Sequence, residues 1–220
     1  MDWLVKFGDQ PLMLIGLLFA LSLLPLLVII GSSFLKIAIV LSLLRNALGI
    51  QQVPPNMAIY GMALILTVFI MTPVAYQISD NLQQAPLTLE SENLFERLDQ
   101  EALSPYRTFL SRHTESRQVK FFSQSATQLW PDPVRKMVPE DSLFIMLPAF
   151  MVSQLIESFK IGLLLYLPFI AIDLIISNIL LAMGMMMVSP MTISLPFKLL
   201  VFIMVGGWER LLMQLVLSYK

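Results

Sequence analysis

Long uncharged stretches separated by one polar segment are the main feature of the 220-residue chain. The runs that contain no Asp, Glu, Lys or Arg cover residues 10–35, 46–79, 142–156, 161–172 and 174–197. A membrane-spanning helix needs about 20 predominantly apolar residues. The two hydrophobic blocks, residues 10–79 and 142–217, are therefore each long enough for two crossings, and a simple hydropathy count gives four helices.

Prolines interrupt both blocks, at Pro25, Pro73, Pro148, Pro168, Pro190 and Pro196. Each proline removes a backbone donor and tends to kink or end a helix, and lipid cannot satisfy the backbone groups that are freed. We therefore predict an all-α membrane protein of kinked, proline-broken helical hairpins, packed in an assembly. Small residues at helical spacing, Ala38 with Ser42 and Ser158 with Gly162, would allow close helix contacts.

The polar segment between the blocks carries 17 of the 29 charged residues. Ser104-Pro105 is a helix-start signal, and an apolar stripe with helical spacing follows it at Tyr106, Phe109, Leu110 and His113. We expect a mostly helical insertion, with Asp141 as a candidate cap for the next helix. The predicted organisation is a first hydrophobic hairpin block at residues 1–79, the polar segment at 80–141 and a second hydrophobic block at 142–220.

Composition excludes several classes of function. Hydrophobic residues make up 57% of the chain and charged residues 13%, against about 45–50% and about 25% in soluble domains. A net charge of -1 gives no reason to expect nucleic acid, cysteine is absent, and His113 is the single histidine. The sequence therefore predicts no catalytic residue, cofactor or metal site. Asp2, Lys6 and Asp9 do not form the basic region of a cleavable signal, so we expect the N-terminus to be retained.

Ionisable residues in the apolar blocks are the first candidate functional residues, because a charge at the bilayer centre costs at least about 2.5–3.5 kcal/mol unless it is paired or wet. Asp173 and Lys198 could form an ion pair, since Pro190 and Pro196 let the chain reverse between them. Alternatively, the Lys198 side chain extends to the membrane–water interface and Asp173 lines a hydrated groove.

The other charges of the blocks have simpler interpretations. Glu157 and Lys160 lie three residues apart on a helix face and can neutralise each other. Lys36 and Arg45, nine residues apart, are expected to act as interfacial anchors.

Five methionines fall between Met183 and Met191. Such a run usually faces lipid or fills a core. Thioether side chains are also flexible and apolar and can repack around irregular shapes, and a ring of them would impede water and ions by dewetting. Gly184 before the run and Pro190 after it favour a loop.

Three sequence stretches together resemble the FliP/SctR family of type III secretion export-gate proteins. They are SFLK and LRNALGIQQVPPN at residues 33–36 and 44–56, then LPAF, SQL, FKIG and LPF at residues 147–150, 153–155, 159–162 and 167–169, and finally MGMMMVSP, SLPFK and GW at residues 183–190, 194–198 and 207–208, with Asp173. The resemblance covers residues 33–79 and 142–210. The residues of the first and third stretches resemble those of the injectisome, virulence-type branch of the family. Many relatives have Glu at the position of Gln154 and Asp at that of Gly206, so no role that needs an acid there is transferred.

The resemblance implies a pore-forming subunit of an export gate that is not an enzyme. Such proteins form a five-fold homo-oligomer with SctS-like and SctT-like membrane partners, toward the periplasmic side of the bacterial inner membrane, and unfolded proteins pass through the pore. A separate ATPase and the proton motive force supply the energy. The resemblance marks Met185, Met186 and Met187 as the pore seal, and Asp173 with Lys198 as a structural charge pair.

Alternative functions stay open on the sequence alone. A flagellar-branch export-gate subunit is one alternative, although flagellar members of the family usually carry a cleavable signal, which we do not find here. A small-solute channel or transporter usually has repeats and polar groups at a midplane site, and the two blocks show no convincing repeat. An intramembrane protease would need a catalytic pair, which His113 and Asp173 do not supply.

Overall fold

The computed structural model describes residues 11–50, 53–84, 102–132, 138–139 and 142–220. Over these ranges the chain is helical and contains no β-strand, which confirms the all-α prediction. The helices are α1 Pro11–Ile30, α2 Phe34–Ala47, α3 Asn56–Gln84, α4 Ser104–Arg112, α5 Ser116–Leu129, α6 Leu143–Ala182, α7 Pro190–Met204 and α8 Gly207–Leu217.

Helix α2 is the centre of the molecule. It packs against α6 most extensively, then α3 and α1, and its buried residues are Lys36, Ile37, Ala38, Val40, Leu41, Leu44 and Ala47. Close approach to α6 depends on Gly162, because a Cβ at that position would collide with the side chain of Leu43. The small residues predicted at helix contacts thus include one that the packing requires.

Helix α6 is 40 residues long and contains both Pro148 and Pro168. At 1.5 Å per residue it extends over about 60 Å, twice the hydrocarbon thickness of about 30 Å. This helix cannot lie wholly inside one bilayer core as a perpendicular span, so part of it must project from the membrane or run along it.

The prolines do not break the helices as the sequence predicted. Of the six prolines named in that prediction, Pro190 starts a helix, whereas the other five lie inside continuous helices, namely Pro25, Pro73, Pro148, Pro168 and Pro196. Apolar surroundings offer the backbone no partner except its own helix, so the cheapest solution is to lose one hydrogen bond and continue. Bends of 57° between α1 and α2 and of 60° between α7 and α8 lie at breaks between helices, and Gly206 adopts φ 66° at the second of them.

Two of the described helices, α3 and α6, are long and apolar enough to cross a membrane by themselves, and the count rises to four if each bent pair is one span. Four crossings are therefore reached only if α1 with α2 and α7 with α8 each cross the membrane as one bent span. Helix α3 also continues to Gln84, beyond the boundary predicted at residue 79.

The described part of the polar insertion consists of α4 and α5, which pack against α3 and α6. Phe109 and Leu110 of the predicted stripe are buried against Met146 and Phe150 of α6. Helix α4 begins at Ser104 itself, with Leu103 before it. Asp141 lies outside the described residues, and Ser142 precedes α6.

Candidate functional site

The methionine-rich segment forms the connection between α6 and α7. Gly184 has φ 73°, a left-handed backbone conformation that an L side chain rarely adopts. Backbone hydrogen bonds hold the turn, from Met185 N to Leu180 O at 2.9 Å and from Met186 N to Gly184 O at 3.0 Å. The loop conformation therefore depends on its backbone and its glycine rather than on packing of its side chains.

The three candidate seal residues project away from the rest of the chain. The side chain of Met187 is 100% exposed, that of Met186 81% and that of Met185 42%. Met183 and Met191 at the two ends of the segment are also exposed. A single chain thus presents a group of thioethers without covering them, so the surface must be completed by lipid, solvent or other chains.

Asp173 and Lys198 are brought together at the base of this hairpin. Lys198 Nζ lies 2.6 Å from Asp173 Oδ2, and the Ser194 hydroxyl donates to Asp173 Oδ1 at 2.6 Å. Lys198 also donates to the carbonyl of Ala47 at 3.3 Å. Lys198 and Ser194 are buried, so this cluster fastens α7 to both α6 and the end of α2.

Lys36 is the second buried lysine, 1% exposed, and it lies in the middle of the helix packing. Its ammonium group is 2.9 Å from Glu157 Oε2, donates to Ser218 Oγ at 2.9 Å, and sits 4.7 Å from the centre of the Tyr219 ring. The expectation that Lys36 is an interfacial anchor is therefore wrong. Glu157, one turn C-terminal to Gln154 on α6, supplies a counter-charge that sequence spacing did not reveal.

Gln154 connects the C-terminal residues with the polar insertion. It is fully buried, accepts a hydrogen bond from the Tyr219 hydroxyl at 2.6 Å, and donates from Nε2 to the carbonyl of His113 at 2.8 Å. An ionised glutamate could not make the second bond, because it has no donor. The neutral amide at this position therefore fits its surroundings.

The predicted local pair of Glu157 and Lys160 is replaced by two other ion pairs. Glu157 pairs with Lys36, whereas Lys160 Nζ lies 3.0 Å from Glu115 Oε1, in the link between α4 and α5. The two residues bind different neighbours, Glu157 to α2 and Lys160 to the link between α4 and α5. Both pairs thus connect α6 to other elements.

Arg45 is likewise bound within the chain. Its guanidinium donates to the carbonyl of Pro54 at 3.2 Å and to Asn56 Oδ1 at 2.6 Å. These bonds close the turn between α2 and α3. Arg45 therefore has a structural role in this turn, and its expected position at a membrane interface stays a prediction.

The aromatic cluster around the C-terminus changes the acidity of two groups. His113 contacts the rings of Phe109 and Tyr219, at 4.9 and 5.0 Å between centroids. Burial lowers the pKa of His113 below 6.5, and the charges of Lys36 and Arg112 act in the same direction. Burial also raises the pKa of Tyr219, with Glu157 adding to the effect. Both groups are therefore neutral at physiological pH.

Sequence reasoning missed the involvement of Ser218 and Tyr219. A tyrosine two residues after a helix has no distinctive pattern, and its partners lie 65 residues away at Gln154 and farther still at Lys36. The one usable signal was the cost of a lysine in an apolar helix, which demands a partner but does not identify it.

Comparisons with known proteins agree on one family. The FliP family model matches residues 17–215. The chain is 54% identical over 217 residues to the Virulence protein YscR of Salmonella typhimurium, covering 98% of this chain and 100% of that protein. It is 55% identical over 216 residues to the Yop proteins translocation protein R of Yersinia pestis, covering 98% and 99%. It is 46% identical over 200 residues to the Harpin secretion protein HrcR of Erwinia amylovora, covering 91% and 92%.

Proposed function

The chain belongs to the FliP family, in its injectisome branch, and on that premise we propose that it is a pore-forming core subunit of a type III secretion export apparatus. The family is a component of a secretion apparatus rather than a known enzyme family. Unfolded proteins would pass through the pore, driven by energy from elsewhere, and this chain would catalyse no reaction. The relatives that carry translocation or harpin secretion in their names support export over solute transport.

Assembly with other chains is part of the proposal, namely a five-fold homo-oligomer with SctS-like and SctT-like partners in the inner membrane, toward its periplasmic side. Exposed apolar surface supports it. Over the 29 residues of α3 only Ile59, Ala63 and Thr67 are buried, and α6 and α7 also expose many large side chains. An isolated soluble chain rarely leaves such a surface uncovered, so lipid and neighbouring subunits are the natural cover.

The pore seal is assigned to Met185, Met186 and Met187. The observation that carries this assignment is their exposure on a loop that joins two apolar helices. Repeated around a five-fold axis, the loops would bring flexible thioethers together into a collar. Such a collar excludes water and ions, yet it deforms around a passing chain of any sequence.

The Asp173–Lys198 pair is assigned the task of positioning this loop. It joins α6 to α7, the two helices that flank the loop, and the Ser194 hydroxyl donates a hydrogen bond to the carboxylate. With both arms of the hairpin fixed, the methionines would be held at a constant depth along the pore axis while their side chains stay free to move.

Deleting Met185 to Met187 in the assembled apparatus tests the seal. Small ions should leak through membranes that contain the variant complex, because the collar loses its apolar side chains. Deleting three residues from the exposed end of α5, at residues 127–129, is the control and should leave permeability unchanged. Unchanged permeability in the methionine deletion would reject the seal.

A charge reversal tests the positioning pair. Asp173→Lys and Lys198→Asp should each impair assembly, because each leaves two like charges facing one another in an apolar environment. The double variant should restore assembly, as measured by native mass determination of the complex in mild detergent. Failure of the double variant to restore it would count against direct pairing.

A further inference from the structure

We propose that Met185, Met186 and Met187 form a peroxide-sensitive modification site, and that their conversion to methionine sulfoxide opens the pore to ions. The inference rests on the proposed function, since it assigns a chemical response to the same seal. It is carried by the exposure of these three thioethers and by the way the loop is built.

Access of an oxidant follows from the exposed fractions in the single chain together with the proposed position of the collar, whose thioethers would face the pore through which hydrogen peroxide arrives. Met187 and Met186 are 100% and 81% exposed, whereas Met146 in the packed interior between α4 and α6 is 5% exposed. Oxidation of a thioether requires contact between sulfur and the oxidant, so the rate follows exposure. Cysteine is absent from the chain, and no thiol within the protein competes for peroxide.

The reaction transfers one oxygen atom from hydrogen peroxide to the methionine sulfur. The O–O bond breaks and an S–O bond forms; the thioether is oxidised by two electrons, the peroxide is reduced, and water is the product. The sulfoxide is polar, whereas the thioether is apolar. A collar that impedes ions by dewetting would therefore hydrate and conduct.

The loop should keep its shape when it is oxidised. Its turn is held by the backbone bonds from Met185 N to Leu180 O and from Met186 N to Gly184 O, and by the left-handed Gly184. None of these involves a thioether. The modification would thus change the polarity of the collar without unfolding the hairpin. Methionine sulfoxide reductases convert the sulfoxide back to the thioether, so the change is reversible.

The experiment uses the complete complex with its partner chains in lipid vesicles. Hydrogen peroxide is added, potassium efflux is recorded, and the oxidised fraction of each methionine is measured by peptide mass spectrometry. We expect Met186 and Met187 to be oxidised several-fold more than Met146, efflux to increase, and a sulfoxide reductase to reverse the increase. In a variant with Met185, Met186 and Met187 all changed to Leu, peroxide should not alter efflux relative to its own untreated level.

The outcomes separate the two proposals. The inference is overturned if the loop methionines resist peroxide as Met146 does, or if the triple leucine variant responds like the parent. It is also overturned if the loop is oxidised without efflux while the deletion of Met185 to Met187 leaks, although the seal then stands. Oxidation without efflux, together with a deletion that does not leak, would overturn the seal itself.

Discussion

The interface between α2 and α6 and the methionine loop at the end of α6 use apolar side chains in opposite ways. At the interface, Ile37, Val40 and Leu44 have no exposed surface, and Gly162 lets the two helices approach closely. In the loop, Met187 is completely exposed. One region is fixed by packing, whereas Met186 and Met187 in the other have little packing within the chain.

The packed interface provides stability, whereas the exposed loop provides adaptability. A well-packed interior has one arrangement and resists change in volume, which suits a scaffold that must hold its position. Unbranched thioethers without neighbours have many arrangements of similar energy, which suits a seal that must yield to a polypeptide. Substitutions in the interface should therefore affect folding, and substitutions in the loop should affect permeability.

The largest expected effect tests this separation directly. Leu44→Ala should lower the free energy of unfolding by about 2–5 kcal/mol, because it leaves a cavity in the core. Met187→Ala should change it by less than about 0.5 kcal/mol, because an exposed side chain loses no packing. Unfolding in detergent, followed by circular dichroism against temperature or denaturant, compares them. Equal effects would abolish the distinction.

The next largest effect tests whether ion pairs, as well as apolar packing, stabilise the interface between α2 and α6. Lys36→Met keeps most of the side-chain volume but loses the bonds to Glu157 and Ser218, and should cost about 1.5–3 kcal/mol. Lys160→Met, in the more exposed pair with Glu115, should cost about 0–1 kcal/mol. The same unfolding measurement applies. If both variants lose the same stability, burial of the Lys36 pair adds nothing.

Close helix approach is tested by a matched pair of glycine substitutions. Gly162→Ala places a methyl group against Leu43 and should destabilise the protein by about 1–3 kcal/mol. Gly61→Ala, also inside a helix but with nothing within 4 Å of the added Cβ, should stabilise it by about 0.5–1 kcal/mol. Thermal unfolding should show a lower melting temperature for Gly162→Ala and a higher one for Gly61→Ala. Two shifts in the same direction would argue against close packing at Gly162.

The smallest effect concerns the edge of the packed region at His113. Its pKa is lowered in the folded chain, so below 6.5 the unfolded chain binds more protons and the folded state loses stability. The melting temperature should therefore fall as the pH decreases from about 7.5 to about 5.5. His113→Gln should reduce this fall. An identical pH dependence in both proteins would show that His113 does not contribute to it.

The sequence predicted much of the fold and part of the site. The apolar runs predicted helices, the stripe at Phe109 and Leu110 predicted the buried face of α4, and the motifs led to the FliP family. Proline positions were a poor guide to helix ends, because an apolar environment makes a broken helix costlier than a missing bond. The partners of Lys36 and Gln154 escaped prediction because they come from distant parts of the chain.

The sequence by itself determined which segments lie in an apolar environment and which lie in water. The free-energy cost of placing a charged side chain in lipid, or an apolar one in water, depends on that residue alone. The flexible thioether chemistry of the loop was likewise determined by the sequence. The sequence also offered the pair of Asp173 and Lys198, whereas tertiary structure alone decided the partners of Lys36 and Lys160. Lys36 faces Glu157 rather than an interface, and Lys160 faces Glu115, because ion pairing depends on distances of a few ångströms that only the packing of α2, α6 and the polar insertion sets.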